Sequence, residues 1–397
     1  MGRLLSRFIS LVIFFCAFSV FAVVMPEEIG QQIDAILARA EVSNVTWSIS
    51  IQNFRGSMTY YERDATNFLT PASNTKLYTT ATAFARLGPS HRFQTDIYAN
   101  GSITDGVLAG DLILISEHDF TWSTRLYPKA RTPLDQIAQK CHGLGLRRVT
   151  GKVIVRGECA LDERTSKTNV ATVFKSALVD RGIAVEGVAE GEDGFSITGE
   201  LYTSWQSVPL EEACKPLNTY SVNVFADLLL KHIGWKLAGT NSYAAGAMVV
   251  TNWLQSIDFD TSNIAMRDGS GLSRSNKFSA AQTLELVRYM RNNFPTFDDT
   301  FTVGCVVGTI GKRFCGTPAA GNVHGKTGTL RNVVALSGYV YNEADEHTYY
   351  FSFLANTVSD SSAGRKAIDD AVVVMTQSGI LNDDADDVTS DGQASKK

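Results

Sequence analysis

Thr70-Pro71-Ala72-Ser73-Asn74-Thr75-Lys76 leads into a run, 72–87, that is rich in Ala, Thr and Leu, free of Gly and Pro, and closed by Gly88-Pro89. The pattern predicts a helix with Ser73 at its start. Ser73 and Lys76 form an S-x-x-K, and the i, i+3 spacing puts hydroxyl and ammonium on one helical face. A serine hydroxyl becomes a useful nucleophile when a neighbouring base takes its proton, and a lysine becomes that base when burial and nearby cations lower its pKa. The helix N-terminus adds N–H groups and a positive dipole beside the reacting oxygen. By itself an S-x-x-K arises by chance about once or twice in a chain this long, and then reads as a surface Ser and Lys.

Two more motifs follow in order. Ser221-Val222-Asn223 precedes an amphipathic helical pattern and offers a hydroxyl to relay a proton and an amide to hold a carbonyl; alone, a serine N-cap explains it. Lys326-Thr327-Gly328-Thr329 stands at the front of an apolar strand pattern. There Gly328 lets a substrate backbone lie close, and Lys326 and Thr327 can meet a carboxylate. The conjunction S-x-x-K, S-x-N, K-T-G, each on the element its chemistry needs, is the motif set of penicillin-recognising serine enzymes.

The longer context narrows this. Lys215-Pro216-Leu217-Asn218, the loop Arg267-Asp268-Gly269-Ser270-Gly271-Leu272-Ser273-Arg274, and Gly316-Thr317-Pro318-Ala319-Ala320-Gly321 resemble the class C low-molecular-mass penicillin-binding proteins, which are D-alanyl-D-alanine carboxypeptidases and endopeptidases. The resemblance covers most of 70–115 and 209–356. It implies an α/β fold: a penicillin-binding-protein/β-lactamase-like transpeptidase domain, its antiparallel sheet flanked by helices, with a small β-rich inserted domain. It implies Ser73 as the acylated nucleophile, Lys76 as general base and Ser221 as proton relay. Asn223 would orient the substrate peptide, Lys326 and Thr327 bind its terminal carboxylate, and Gly328 admit it. The N–H groups of Ser73 and Thr329 would form the oxyanion hole. No metal or organic cofactor is required. The implied partners are peptidoglycan stem peptides and cross-links, with β-lactam antibiotics as acylating inhibitors. The Asp268–Arg274 loop either lines the cleft or is a Gly-rich turn holding helices together.

The chain departs from that pattern in three places. The 148 positions from Ser73 to Ser221 make a shortened insertion, which predicts an open cleft suited to endopeptidase action on cross-links. Arg156 stands where an acidic residue is usual near the substrate's diamino acid, with Glu158 two beyond. In Cys305-Val306-Val307-Gly308-Thr309, Val307 replaces the usual Asp of an Asp-Gly-Thr.

Composition agrees with an exported, folded protein. The 397 residues are 44% hydrophobic and 19% charged, ample for a core and long for one small domain. With 36 Lys+Arg against 41 Asp+Glu and no basic block, nucleic-acid binding is not expected. Arg3 and Arg7 precede the uncharged apolar run 8–24, the arrangement of a secretory signal with cleavage after Ala22. The alternative is an uncleaved anchor, but that run is shorter than the roughly 20 residues that span a bilayer, which favours cleavage, after which no stable membrane span is expected. Residues 1–22 therefore read as a signal peptide and the protein as periplasmic. Residues 26–94 and 205–380 read as the peptidase domain, 95–204 as an inserted accessory domain, and the polar 381–397 as a disordered tail. Five cysteines lie beyond the signal, so at least one is free or pairs between chains; the near pairs Cys141/Cys159 and Cys305/Cys315 are the expected bridges, with connectivity left open by sequence. Neither CxxC nor a Cys/His zinc spacing occurs.

Competing readings share the three motifs. A serine β-lactamase needs a Glu-positioned water for fast deacylation, and no such Glu element lies convincingly between Ser73 and Ser221. A transpeptidase differs only in the acyl acceptor. A non-catalytic peptidoglycan-binding protein conflicts with the intact nucleophile and base positions.

Overall fold

A computed structural model describes residues 26–53, 58–190, 198–343 and 347–377. The segments read as a signal, 1–22, and as a tail, 381–397, lie outside them. Two sheets organise the chain. The six-stranded sheet runs β2-β1-β11-β10-β9-β8, every neighbouring pair antiparallel. Its strands are β1 (Thr46–Asn53), β2 (Thr59–Arg63), β8 (Thr302–Val303), β9 (Val323–Leu330), β10 (Val333–Asn342) and β11 (His347–Asn356).

Both faces of this sheet are covered, so the central strands β10 and β11 are buried along nearly their whole length rather than on alternate residues. In β11, Tyr349, Phe351, Phe353 and Ala355 pack with α1 (Pro26–Leu37) and α9 (Ser361–Gln377). Tyr350 points the other way, into a core built by α2 (Thr75–Leu87), α5 (Leu210–Thr219), α6 (Asn223–Ala238), α7 (Tyr243–Ser256) and α8 (Ala280–Asn293). The start of α8 is fixed by a capping box between Ser279 and Gln282, which satisfies two otherwise unpaired N–H groups.

The second sheet, ordered β6-β5-β4-β3-β7, comprises β3 (Gln94–Thr104), β4 (Val107–Ser116), β5 (Arg148–Arg156), β6 (Ala184–Glu190) and β7 (Glu200–Gln206). Pairs β4/β5 and β5/β6 are parallel and the other two antiparallel. Parallel neighbours need crossovers, and α3 (Thr132–Gly143) and α4 (Lys167–Asp180) supply them. Val170, Phe174 and Leu178 of α4 pack with Ile137 and Cys141 of α3 in a separate core.

Of the expected bridges, Cys305–Cys315 forms. Cys141 and Cys159 do not bridge; both are buried thiols, as is Cys214. Cys141 lies within α3, while Cys159 follows β5 beside Asp119, so nearness in sequence does not pair them. Both fill the core as small hydrophobes.

Candidate active site

The predicted helix divides into a one-turn 3-10 segment, Ala72–Asn74, and α2. Ala72 has φ 49°, a conformation sparsely used by residues with a Cβ, and it turns Ser73 into the site at the helix entrance. The S-x-x-K geometry then holds as expected: Lys76 Nζ donates to Ser73 Oγ at 3.0 Å. The same amine donates to Asn223 Oδ1 at 2.7 Å and to the Ser270 carbonyl at 2.6 Å. The first motif thus meets the second at the first residue of α6.

Lys76 is fully buried, and burial pulls its pKa down to about 7, against the opposing pull of Asp227 and Asp268. A neutral amine has two N–H groups and one lone pair. Asn223 and Ser270 supply two acceptors, which leaves the lone pair for the Ser73 hydroxyl proton.

Ser221 has φ 61°, again outside the usual regions. Its Oγ accepts from Lys326 Nζ at 2.8 Å, joining the second motif to the third. Lys326 also donates to the Thr327 carbonyl at 2.9 Å. It too is fully buried, and burial followed by the nearby Lys76 charge holds its pKa well below the ordinary lysine value.

The K-T-G motif is not at the front of its strand. β9 starts at Val323, and Lys326 to Thr329 occupy its middle and later positions, opposite Ser337, Leu336, Ala335 and Val334 of β10. Gly328 is required by close approach: a Cβ there would lie 2.6 Å from the Pro71 carbonyl and 3.0 Å from Asn74 Nδ2. The strand therefore lies directly against the turn that carries Ser73. Thr329 is exposed two residues on, on the side of the strand shared with Thr327.

Two acidic side chains support the site, and of these sequence reasoning missed Asp227 and named Asp268 only as part of its loop. Asp227, one turn beyond Asn223 on α6, accepts through Oδ1 from the backbone N–H groups of Gly269 and Ser270, each at 3.0 Å. Asp268 accepts from Gly271 N at 2.7 Å and Ser273 N at 2.6 Å. The Asp268–Arg274 loop thus serves both expectations at once, a braced turn whose Ser270 carbonyl reaches Lys76. The i, i+4 relation of Asn223 and Asp227 was the available signal for the first of these.

Glu158 is engaged elsewhere. Its carboxylate accepts from Lys231 Nζ of α6 at 2.8 and 3.0 Å, tying the end of β5 to the helical core. Among the described residues, no group of three or more His, Cys, Asp and Glu side chains could hold a metal, and no helix is long and apolar enough to cross a membrane.

Known proteins similar to this chain give its family and fold. A D-alanyl-D-alanine carboxypeptidase of Actinomadura sp. (strain R39) is 25% identical over 463 aligned positions, covering 87% of this chain and 84% of that protein. The crystal structure of penicillin binding protein 4 from Haemophilus influenzae superposes with TM-score 0.72 at 19% identity, over 86% of this chain and 98% of that one. A predatory peptidoglycan endopeptidase from Bdellovibrio bacteriovorus superposes with TM-score 0.62 at 17% identity, over 85% and 94%. The shared fold is the α/β arrangement of an antiparallel sheet flanked by helices. The family model for D-Ala-D-Ala carboxypeptidase 3 matches residues 29–167 and 158–378, a span that takes in all three motifs. This chain belongs to the D-Ala-D-Ala carboxypeptidase 3 (S13) family.

Proposed function

We propose that this protein is a serine D,D-peptidase that hydrolyses D-Ala-containing peptide bonds of bacterial peptidoglycan through an acyl-enzyme on Ser73. The observation that carries the reading is the Lys76 amine within hydrogen-bond reach of Ser73 and Asn223 together. Ser73 Oγ attacks the carbonyl carbon of the D-Ala residue while Lys76 accepts its proton, the pairing of nucleophile and lowered-pKa base that acyl transfer needs. Ser221 passes a proton to the leaving amine, and Asn223 orients the peptide. Lys326 and Thr327 receive the free carboxylate, and the N–H groups of Ser73 and Thr329 face the developing oxyanion. Water then releases the acyl group.

The same site takes β-lactams as acylating inhibitors. Residues 26–94 and 205–380 act as the peptidase domain, and 95–204 as an accessory unit. The shortened insertion leaves room for cross-linked substrates, so endopeptidase action accompanies carboxypeptidase action. The N-terminal segment exports the chain to the periplasm, where its substrate lies.

The test is incubation of the wild type and Ser73→Ala with benzylpenicillin, read by intact mass, and with cross-linked peptidoglycan, read by chromatography of muramidase-released fragments. One penicillin adduct on the wild type, none on the variant, and conversion of cross-linked dimers to monomers are expected. Loss of terminal D-Ala alone would remove the endopeptidase part; no adduct and no change in the fragments would sink the whole reading.

A further inference from the structure

The Cys305–Thr309 segment, which departs from the family pattern, ends beside the carboxylate-binding strand. Thr327 Oγ1 donates to Thr309 Oγ1 at 2.8 Å, and Thr309 is exposed. Two hydroxyls at this spacing each carry one donatable proton and can each give it to one oxygen of a single carboxylate.

The loop holding Thr309 is fixed from several sides. The Val307 carbonyl accepts from Thr302 Oγ1 at 2.7 Å and from Val303 N at 3.1 Å, while Thr302 Oγ1 accepts from Ile310 N at 3.0 Å. Gly308, at φ 77°, lies so close to α5 that a Cβ would sit 2.4 Å from the Thr219 carbonyl. The Cys305–Cys315 disulfide closes the loop around these contacts. Thr309 is therefore presented by a rigid frame, as a preorganised contact requires.

We propose that Thr309 is a second hydroxyl of the carboxylate site, gripping with Thr327 the free carboxylate of the D-amino acid that leaves. Without a ligand the Thr327 hydroxyl donates to that of Thr309. A carboxylate bound there accepts one hydrogen bond from each hydroxyl. The class of ligand is a D-amino acid carboxylate, whether of a terminal D-Ala or of the D-centre of a diamino acid in a cross-link. This inference rests on the peptidase reading above.

The test compares the full chain with Thr309→Val and Thr309→Ser on an acyl-D-Ala-D-Ala peptide and on its C-terminal carboxamide. Thr309→Val is expected to raise KM for the carboxylate peptide roughly tenfold, the effect of one hydrogen bond to a charged group. It should change kcat less, and Thr309→Ser should restore the wild-type preference for carboxylate over carboxamide. An unchanged preference in Thr309→Val, with a wild-type melting temperature, overturns the inference while leaving the peptidase reading intact. A wild type that cleaves neither peptide sinks the peptidase reading and this inference with it.

Discussion

The Lys76 amine sits 3.0 Å from the Ser73 hydroxyl with its pKa drawn down to about 7 by burial. The base form of the amine therefore exists at neutral pH, and with Lys76 as the proposed general base the rate of acylation should follow it. Below about pH 7 the amine is protonated and cannot take the serine proton, so the second-order rate of acylation by benzylpenicillin should fall about tenfold per pH unit. Above that point it should level off. A profile whose acid limb lies near the ordinary lysine value would contradict the burial argument.

Asp227 sets the position of that limb. Its negative charge raises the Lys76 pKa, and its Oδ1 holds the Ser270 N–H while the Ser270 carbonyl holds Lys76. In Asp227→Asn the side-chain oxygen can still accept these bonds, but the charge is gone. The acid limb of the acylation profile should move to lower pH, with the plateau rate changed much less. A limb that stays in place would mean that Asp227 acts only as a brace.

Lys76→Met separates catalysis from stability. Loss of a positioned general base should slow acylation by about 10²–10⁴-fold. A lysine with a depressed folded pKa binds fewer protons folded than unfolded between about 7 and its ordinary 10.5. Unfolding free energy therefore rises with pH across that window, and the protein carries the full cost of burying the amine only below it. Methionine removes that cost, so the variant should be about 1–3 kcal/mol more stable at neutral pH and lose this part of the pH dependence. Denaturant unfolding at pH 7 and pH 9 checks both.

Gly328→Ala probes the contact between strand and turn. The added methyl would meet Pro71 O at 2.6 Å and Ala335 Cβ at 3.1 Å, and neither is the end of a flexible side chain. Relief requires β9 to move away from Ser73. A loss of about 1–3 kcal/mol of stability is expected, together with roughly a hundredfold drop in acylation from the misplaced site. Wild-type acylation in this variant would show that the close approach is dispensable.

The three motifs were legible because each combines chemistry with a local element: Ser73 with a helix start, Ser221 with a helix approach, Lys326 with a strand. Their convergence depends on contacts that local pattern does not encode. The Ser270 carbonyl reaches Lys76 from 194 positions away, and a backbone carbonyl leaves no mark on sequence. The K-T-G motif sits deeper in β9 than expected because Val323 and His324, opposite Val340 and Tyr339 of β10, extend the strand ahead of Gly325. The strand β6 is weakly marked in local pattern. Ala184–Glu190 contains Gly187 and two Glu residues, and only pairing with neighbours makes it a strand.

The cysteines permit a direct check of where sequence spacing failed. Cys141 and Cys159 are buried thiols whose pKa is pushed up to about 12 by burial, and Cys214 is raised by the same cause. Thiolate is the reactive form, so all three should resist alkylation in the folded protein at pH 8 and react once it is denatured without reductant. Peptides containing Cys305 and Cys315 should stay linked through the same treatment. Replacing both by serine opens a loop of sequence separation 10, and the chain-entropy argument puts the loss at about 2–3 kcal/mol of unfolding free energy. The loop carries Thr309, so the double variant should also weaken the preference for carboxylate over carboxamide substrates, in the direction of Thr309→Val. Lower stability with an unchanged preference would mean that the hydrogen bonds from Thr302 hold the loop in place without the cross-link.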